Sequence, residues 1–274
     1  MTILQAIVLG LVQGLTEFLP ISSSGHLYLV PVLSGWKDPG AGFTAVIQLG
    51  TILAVFLYFG RDLGRVFMGW LRGLRGGEAA RTHEARMGWA IALGTVPIAL
   101  AGLAFEKSID THLRTPWVVG GSLIAFALVM GLAERVGRQE RKWEDLTLRD
   151  GLTMGLWQCL ALVPGSSRSG CTITGGLFGG IDRATAARFS FLLSVPAILA
   201  SGLYKLYKER ADLLGGGMMP TLVATVVAFV SGYAAIAFLM KFLQSRSTWV
   251  FVWYRVALGL VVLGLAFSGR LGGV

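Results

Sequence analysis

The sequence predicts an all-α polytopic membrane protein made of two inverted-topology repeats, each a re-entrant helix–loop–helix followed by three transmembrane helices. Three observations point there. Of the 274 residues only 14% are Asp, Glu, Lys or Arg, 54% are AVILMFWYC, and mean hydropathy is +0.67; a soluble domain carries roughly 25% charged residues. Five stretches lack charge altogether, Ala41–Gly60, Met87–Phe105, Thr115–Ala133, Phe189–Tyr204 and Leu213–Met240. Each approaches or exceeds the ~17–25 residues a helix needs to cross a bilayer. The third observation is an internal repeat. At an offset of 145, Gly10, Leu11, Gln13, Leu15, Ser22, Ser24 and Gly25 meet Gly155, Leu156, Gln158, Leu160, Ser167, Ser169 and Gly170. At 146, Phe43, Ile52, Leu53, Ala54, Leu57 and Tyr58 meet Phe189, Ile198, Leu199, Ala200, Leu203 and Tyr204. Gly and Leu coincide easily in membrane helices; an aligned Gln and Ser-x-Ser-Gly do not.

The elements follow in order. Met1–Leu33 is a hydrophobic segment broken at Pro20-Ile-Ser-Ser-Ser-Gly-His26, where proline removes a backbone donor and the serines and glycine favour a turn. Irregular backbone at membrane depth is tolerated only where protein or a wet cavity covers it, so the segment is expected to enter and leave on one side. It has no Lys or Arg before Lys37 and lacks the basic region of a cleavable signal peptide, so it is expected to be retained. Spanning helices are expected at about 41–60, 87–106 and 116–135. The second half repeats this with a broken segment, Leu148–Gly180, and helices at about 187–206, 220–242 and 249–268. The whole chain, 1–274, is then one integral membrane domain with repeats 1–136 and 148–268. Three crossings is an odd number, so the second repeat is inverted, an arrangement that places broken helices at a shared midplane site.

The net charge of +9 is a topology signal rather than a nucleic-acid signal. Six arginines fall in Arg61–Arg86 and five Lys or Arg in Arg135–Arg149. By the positive-inside rule both are cytoplasmic loops, which puts Glu106–Arg114 and both termini outside. Lys205, Lys208 and Arg210 run against this assignment and are outweighed. Cys159 and Cys171 are too few for a metal cluster and read as packing residues. His83 and His112 lie in polar loops and are expected to be solvated, and Arg255, near the start of the last helix, to snorkel to the interface.

The two broken segments carry the chemistry. Gln13 and Glu17, spaced i, i+4, share a helix face, and Glu17 is the only acidic residue among the first 36. An ionisable group inside a membrane is by default a functional candidate. Beyond the break come the serines and His26. The second segment supplies Arg168, flanked by Ser166, Ser167 and Ser169, with Thr172 beyond and Gly165 and Gly170 permitting close backbone approach. A guanidinium, hydroxyls and the amides of a helix start suit phosphate oxygens. One carboxylate plus substrate oxygens is the usual way to hold Mg²⁺. Together these groups suggest hydrolysis of a phosphoanhydride, with a transporter or lipid flippase as the rival reading.

Gln13-x-x-x-Glu17-Phe-Leu-Pro-Ile-Ser-Ser-Ser-Gly-His26 and Pro164-Gly-Ser-Ser-Arg-Ser-Gly-Cys-Thr172 resemble the two motifs of the undecaprenyl-pyrophosphate phosphatase, or bacitracin-resistance, family. The likeness extends through Val46-Ile-Gln-Leu-Gly50 and Phe189-Ser-Phe-Leu-Leu193. It implies a multi-pass bacterial inner-membrane enzyme that converts a C55 polyprenyl pyrophosphate to the monophosphate on the periplasmic side. Such an enzyme recycles the lipid carrier of peptidoglycan synthesis and confers bacitracin resistance. The resemblance implies catalytic roles for Glu17, Ser23 and His26, and phosphate binding by Arg168 with Gly165, Ser166, Ser167, Ser169 and Thr172. It also implies a divalent cation, Mg²⁺ or Ca²⁺, at Glu17 and Gln13, where Gln is the neutral variant of an acidic position. Ser23 assisted by His26, a phosphohistidine at His26 and direct attack by water all stay open. A secondary lipid-flipping activity and a homodimer are compatible with this reading.

Overall fold

The computed structural model describes residues 1–208 and 218–271, and these residues form eleven α-helices with no β-strand; Arg210 lies outside them. In chain order the helices are α1 (Ile3–Phe18), α2 (Ser23–Leu33), α3 (Gly40–Tyr58), α4 (Gly60–Gly73), α5 (His83–Ser108), α6 (Pro116–Val136), α7 (Leu148–Cys159), α8 (Arg168–Phe178), α9 (Arg183–Lys208), α10 (Met218–Leu243) and α11 (Trp249–Phe267). Five of them are long and apolar enough to cross a membrane, and α3 with α4 makes a sixth candidate bent by 82°. This is a multi-pass membrane protein. The expected spans match α3, α5, α6, α9, α10 and α11. The stretch 61–73, read as loop, is instead the amphipathic helix α4.

Both expected breaks occur, and for the same local reason. Helix α1 starts at a capping box between Thr2 and Gln5, and α7 at one between Thr147 and Asp150. Each first arm stops before a proline: Leu19 (ψ 137°) precedes Pro20 and Val163 (ψ 119°) precedes Pro164. The residue before proline is driven out of the helical region. The chain restarts at Ser22 (φ 73°) and Ser167 (φ 71°), whose side chains accept from the Gly25 and Gly170 amides. Left-handed serines cost of order 1–3 kcal/mol each and persist where surrounding structure holds them.

Packing follows one exchange in both halves. Helix α1 lies against α10 of the other half, α7 lies against α5, and α6 pairs with α11. The close approaches run over glycine. A Cβ on Gly14 would sit 2.6 Å from the Ala228 carbonyl, and one on Gly155 2.2 Å from that of Gly94. The main core, including Phe18, Phe189, Phe191 and Leu193, fills the space where α1, α3, α8 and α9 converge. One end is polar: Arg188 of α9 pairs with Asp62 of α4 and lies 4.0 Å over Trp143, from the connection between α6 and α7. The two basic segments therefore meet at the same end. His83 is not solvated there, because both its ring nitrogens are buried and the ring packs edge-on against Trp143; His112 is exposed.

Candidate active site

The two broken hairpins meet at their tips. Ser24 Oγ accepts from the Gly165 amide (3.4 Å), and the Ser169 hydroxyl donates to the Leu19 carbonyl (3.2 Å). These paired bonds bring the starts of α2 and α8 together. The first amides of a helix lack intrahelical acceptors and favour anions.

Glu17 is the centre of this junction, only 5% exposed. Its Oε1 accepts from Arg168 Nη2 at 3.1 Å. Its Oε2 accepts from Gln13 Nε2 (2.8 Å), Ser23 Oγ (2.8 Å) and Gln48 Nε2 (3.3 Å). Arg168 also donates from Nη1 to the Ser190 carbonyl at 3.4 Å, and its Nε has no partner. Gln13, Glu17, Ser23 and Arg168 are thus brought into one cluster. Both oxygens of the carboxylate are occupied by donors, and the Ser23 proton points at an acceptor.

His26 faces elsewhere. Its Nδ1 lies 2.7 Å from the Ser22 carbonyl and its Nε2 lies 2.6 Å from the Tyr254 hydroxyl, with the two rings stacked at 5.7 Å. A carbonyl can only accept, so Nδ1 carries hydrogen and Nε2 of the neutral ring accepts from Tyr254. The Ser23 hydroxyl donates to Glu17, not to His26.

The remaining predicted hydroxyls shape the second loop. Ser166 donates to the Val163 carbonyl, Ser167 caps α8, Ser169 reaches Leu19, and Thr172 is bonded to Ser190. Gly165 is required by its φ of 91° and by α6, since a Cβ there would lie 2.5 Å from the Val119 carbonyl. Behind the loop sits Arg255. It does not snorkel: it is 0% exposed, and Nη2 donates to the carbonyls of Ser166 (2.7 Å) and Gly165 (3.2 Å). Sequence reasoning misses Tyr254 altogether, gives Arg255 the wrong role, and assigns none to Gln48 and Ser190 within the segments quoted for the family resemblance. The clearest available signal was Gln48, a polar residue in an otherwise apolar span.

No group of three or more His, Cys, Asp or Glu among the described residues is placed to hold a metal ion. The orientation of Gln13 still offers one oxygen. Its amide nitrogen must face the carboxylate, which leaves Oε1 fully buried and without a partner. That orphaned oxygen and Glu17 fit a hard cation completed by substrate oxygens. A cavity of about 250 Å³ adjoins the cluster, lined by Ser24, Leu27, Thr44, Gln48 and Pro164 and reaching out to Arg114.

These features define a class of protein: a multi-pass, all-helical membrane protein with a buried carboxylate, guanidinium and hydroxyl where two broken hairpins touch. The chain belongs to the bacitracin resistance protein BacA family, which it matches over residues 6–261. Among curated relatives, proteins named undecaprenyl-diphosphatase are 53% identical in Kineococcus radiotolerans (99% of this chain, 96% of that one) and 50% identical in Thermobifida fusca (99% and 92%). Another of that name, in Chlorobium phaeobacteroides, is 49% identical over 99% of both chains.

Proposed function

We propose that this chain is an undecaprenyl-diphosphatase, a membrane phosphatase that cleaves the anhydride of a polyprenyl diphosphate. The observation that carries this reading is the Ser23–Glu17–Arg168 cluster at two facing helix starts. The Ser23 oxygen attacks the terminal phosphorus as its proton passes to Glu17 Oε2. The bond from that phosphorus to the bridging oxygen breaks, and the lipid monophosphate departs. Water then attacks the phosphoserine phosphorus, the bond to the Ser23 oxygen breaks as Glu17 returns its proton to that oxygen, and inorganic phosphate leaves with the protons of the water. Arg168 and the first amides of α8 neutralise charge on the transferring group, the larger part of catalysis in phosphoryl transfer. His26, held as the Nδ1–H tautomer by Ser22 and bonded to Tyr254 through Nε2, is assigned the relay of protons in the second, hydrolytic step.

A divalent cation is part of the proposal. Gln13 Oε1 and Glu17 would hold it, and when bound it neutralises diphosphate oxygens. Orientation follows from two supports. The basic segments meet at one end, suiting the cytoplasmic face of the inner membrane. The cavity beside the cluster extends to Arg114, on the segment expected outside, which suits periplasmic access. Inverted repeats fit the exchanged packing of α1 on α10 and α7 on α5.

Purified protein in detergent tests the reading. It should release phosphate from undecaprenyl diphosphate, with activity lost to a chelator and restored by Mg²⁺ or Ca²⁺. Transport is impossible without a compartment, so absence of phosphate release with cation present would leave a transporter instead. Turnover that a chelator does not touch would remove the cation from the account.

A further inference from the structure

Helix α4 turns sharply away from the span that precedes it. It departs from α3 by 82°, so with α3 crossing the bilayer, α4 runs nearly along its surface. At 100° per residue its side chains divide into three sectors. Val66 and Gly73 are buried against α5, and a Cβ on Gly73 would lie 2.8 Å from that of Ala85. Phe67, Leu71 and Leu74 fall within about 60° of one another on the wheel, and all three are exposed. Arg61, Arg65 and Arg72 fall within about 40° on a third sector, exposed as well.

Among the described residues most of this charge has no ion-pair partner. Asp62 is the only acid on α4, and it pairs with Arg65 and Arg188. Arg61, Arg72 and Arg75 make no ion pair among the described residues. The apolar sector is not isolated either. Trp70 packs edge-on against exposed Trp89 of α5, and the exposed face of α5 continues through Leu93, Val96 and Leu100. That α5 face belongs to a spanning helix and meets lipid. The apolar sector of α4 extends the same surface, and an amphipathic helix with arginines opposite such a sector suits an anionic interface.

We propose that α4 is an in-plane anchor that binds anionic phospholipids, with Phe67, Leu71 and Leu74 in the acyl region and Arg61, Arg72 and Arg75 holding phosphate headgroups. This site is separate from the catalytic cluster and does not rest on the proposed activity. One basic residue near an anionic surface contributes about fivefold in local lipid preference.

The test uses the full chain with Cys159 and Cys171 replaced, a bimane label at Leu71→Cys, and phosphatidylcholine vesicles containing a minority of phosphatidylglycerol. Quenching is compared between phosphatidylglycerol and phosphatidylcholine carrying the same doxyl chain. Both lipids should quench, and phosphatidylglycerol should do so about fivefold more effectively at equal concentration, with the preference weakening at high salt. Adding Arg61→Gln, Arg72→Gln and Arg75→Gln should bring the ratio near one while phosphatidylcholine quenching persists. No quenching by either lipid would show the apolar sector facing water or protein, and equal quenching by both would remove headgroup recognition. These two outcomes overturn the proposal and are read on the protein with its arginines intact, so they do not depend on how the triple variant folds.

Discussion

Glu17→Gln keeps the size of the side chain and removes its charge, which makes it the sharpest probe of the cluster. The carboxylate accepts four hydrogen bonds, from Arg168 on one oxygen and from Gln13, Ser23 and Gln48 on the other. A carboxamide has one oxygen. Facing its NH₂ towards Arg168 would set a donor against a guanidinium that cannot accept, whereas the Gln13 and Gln48 amides on the other side can flip to present oxygen, so the oxygen stays towards Arg168. The NH₂ then meets Ser23, whose hydroxyl is forced to become an acceptor with its proton turned away from any base. Loss of a positioned general base costs 10²–10⁴-fold, about 3–5 kcal/mol. The response to a divalent cation should fall as well, because Glu17 is the one charged ligand of the proposed cation, whereas cation-free binding through Arg168 should persist. The assay is phosphate release at saturating lipid, with binding of a non-hydrolysable diphosphate lipid measured separately. Glu17→Gln combined with Ser23→Ala should be little worse than either alone, since both disable one step. A kcat within threefold of the parent would refute the assignment of Glu17 as proton acceptor.

Arg168→Lys should recover little of the activity lost in Arg168→Ala. An ammonium has its donors on one nitrogen and cannot reproduce the planar fork by which separate nitrogens of Arg168 reach Glu17 and the Ser190 carbonyl while facing phosphate; near-normal phosphate release by the lysine variant would contradict this. Tyr254→Phe keeps the stack on His26 but removes the donor to Nε2, a hydrogen bond worth about 0.5–1.5 kcal/mol. Turnover should fall by a corresponding factor of roughly 2–10, and an unchanged kcat would leave Tyr254 as packing only. Gly14→Ala would place a methyl 2.0 Å from Ser231 Oγ and 2.6 Å from the Ala228 carbonyl. Prising α1 from α10 should cost about 1–3 kcal/mol, read as a lower Tm in detergent, and an unaltered Tm would show that the helices are not held that closely.

The spanning helices were legible because a bilayer demands long uncharged runs, and α5, α6, α9, α10 and α11 all announce themselves in this way. The breaks were legible for a local reason: proline sets the backbone of Leu19 and Val163 whatever surrounds them. Glu17 and Arg168 stood out because charge in an apolar segment is costly. What escaped the sequence depends on distant partners. Arg255 reads as a snorkelling residue until the Gly165 and Ser166 carbonyls, ninety residues away, are seen to accept from it. Tyr254 is one aromatic among many, and only the fold sets it against His26. The serines around Arg168 suggest free ligands, yet most of their hydroxyls close the turns that hold the loop. The first part of Arg61–Arg86, read as loop, is helical, and its charges mask an apolar sector that appears only on a helical wheel.

The central claim is that the Ser23 hydroxyl, at the meeting of the two hairpins, opens the anhydride. Mass spectrometry of protein quenched in acid during turnover of undecaprenyl diphosphate tests it most directly. The account predicts an acid-stable phosphate on Ser23 that is absent from Ser23→Ala, with that variant almost inactive. An acid-labile, base-stable phosphate on His26, or substantial turnover by Ser23→Ala, would contradict it.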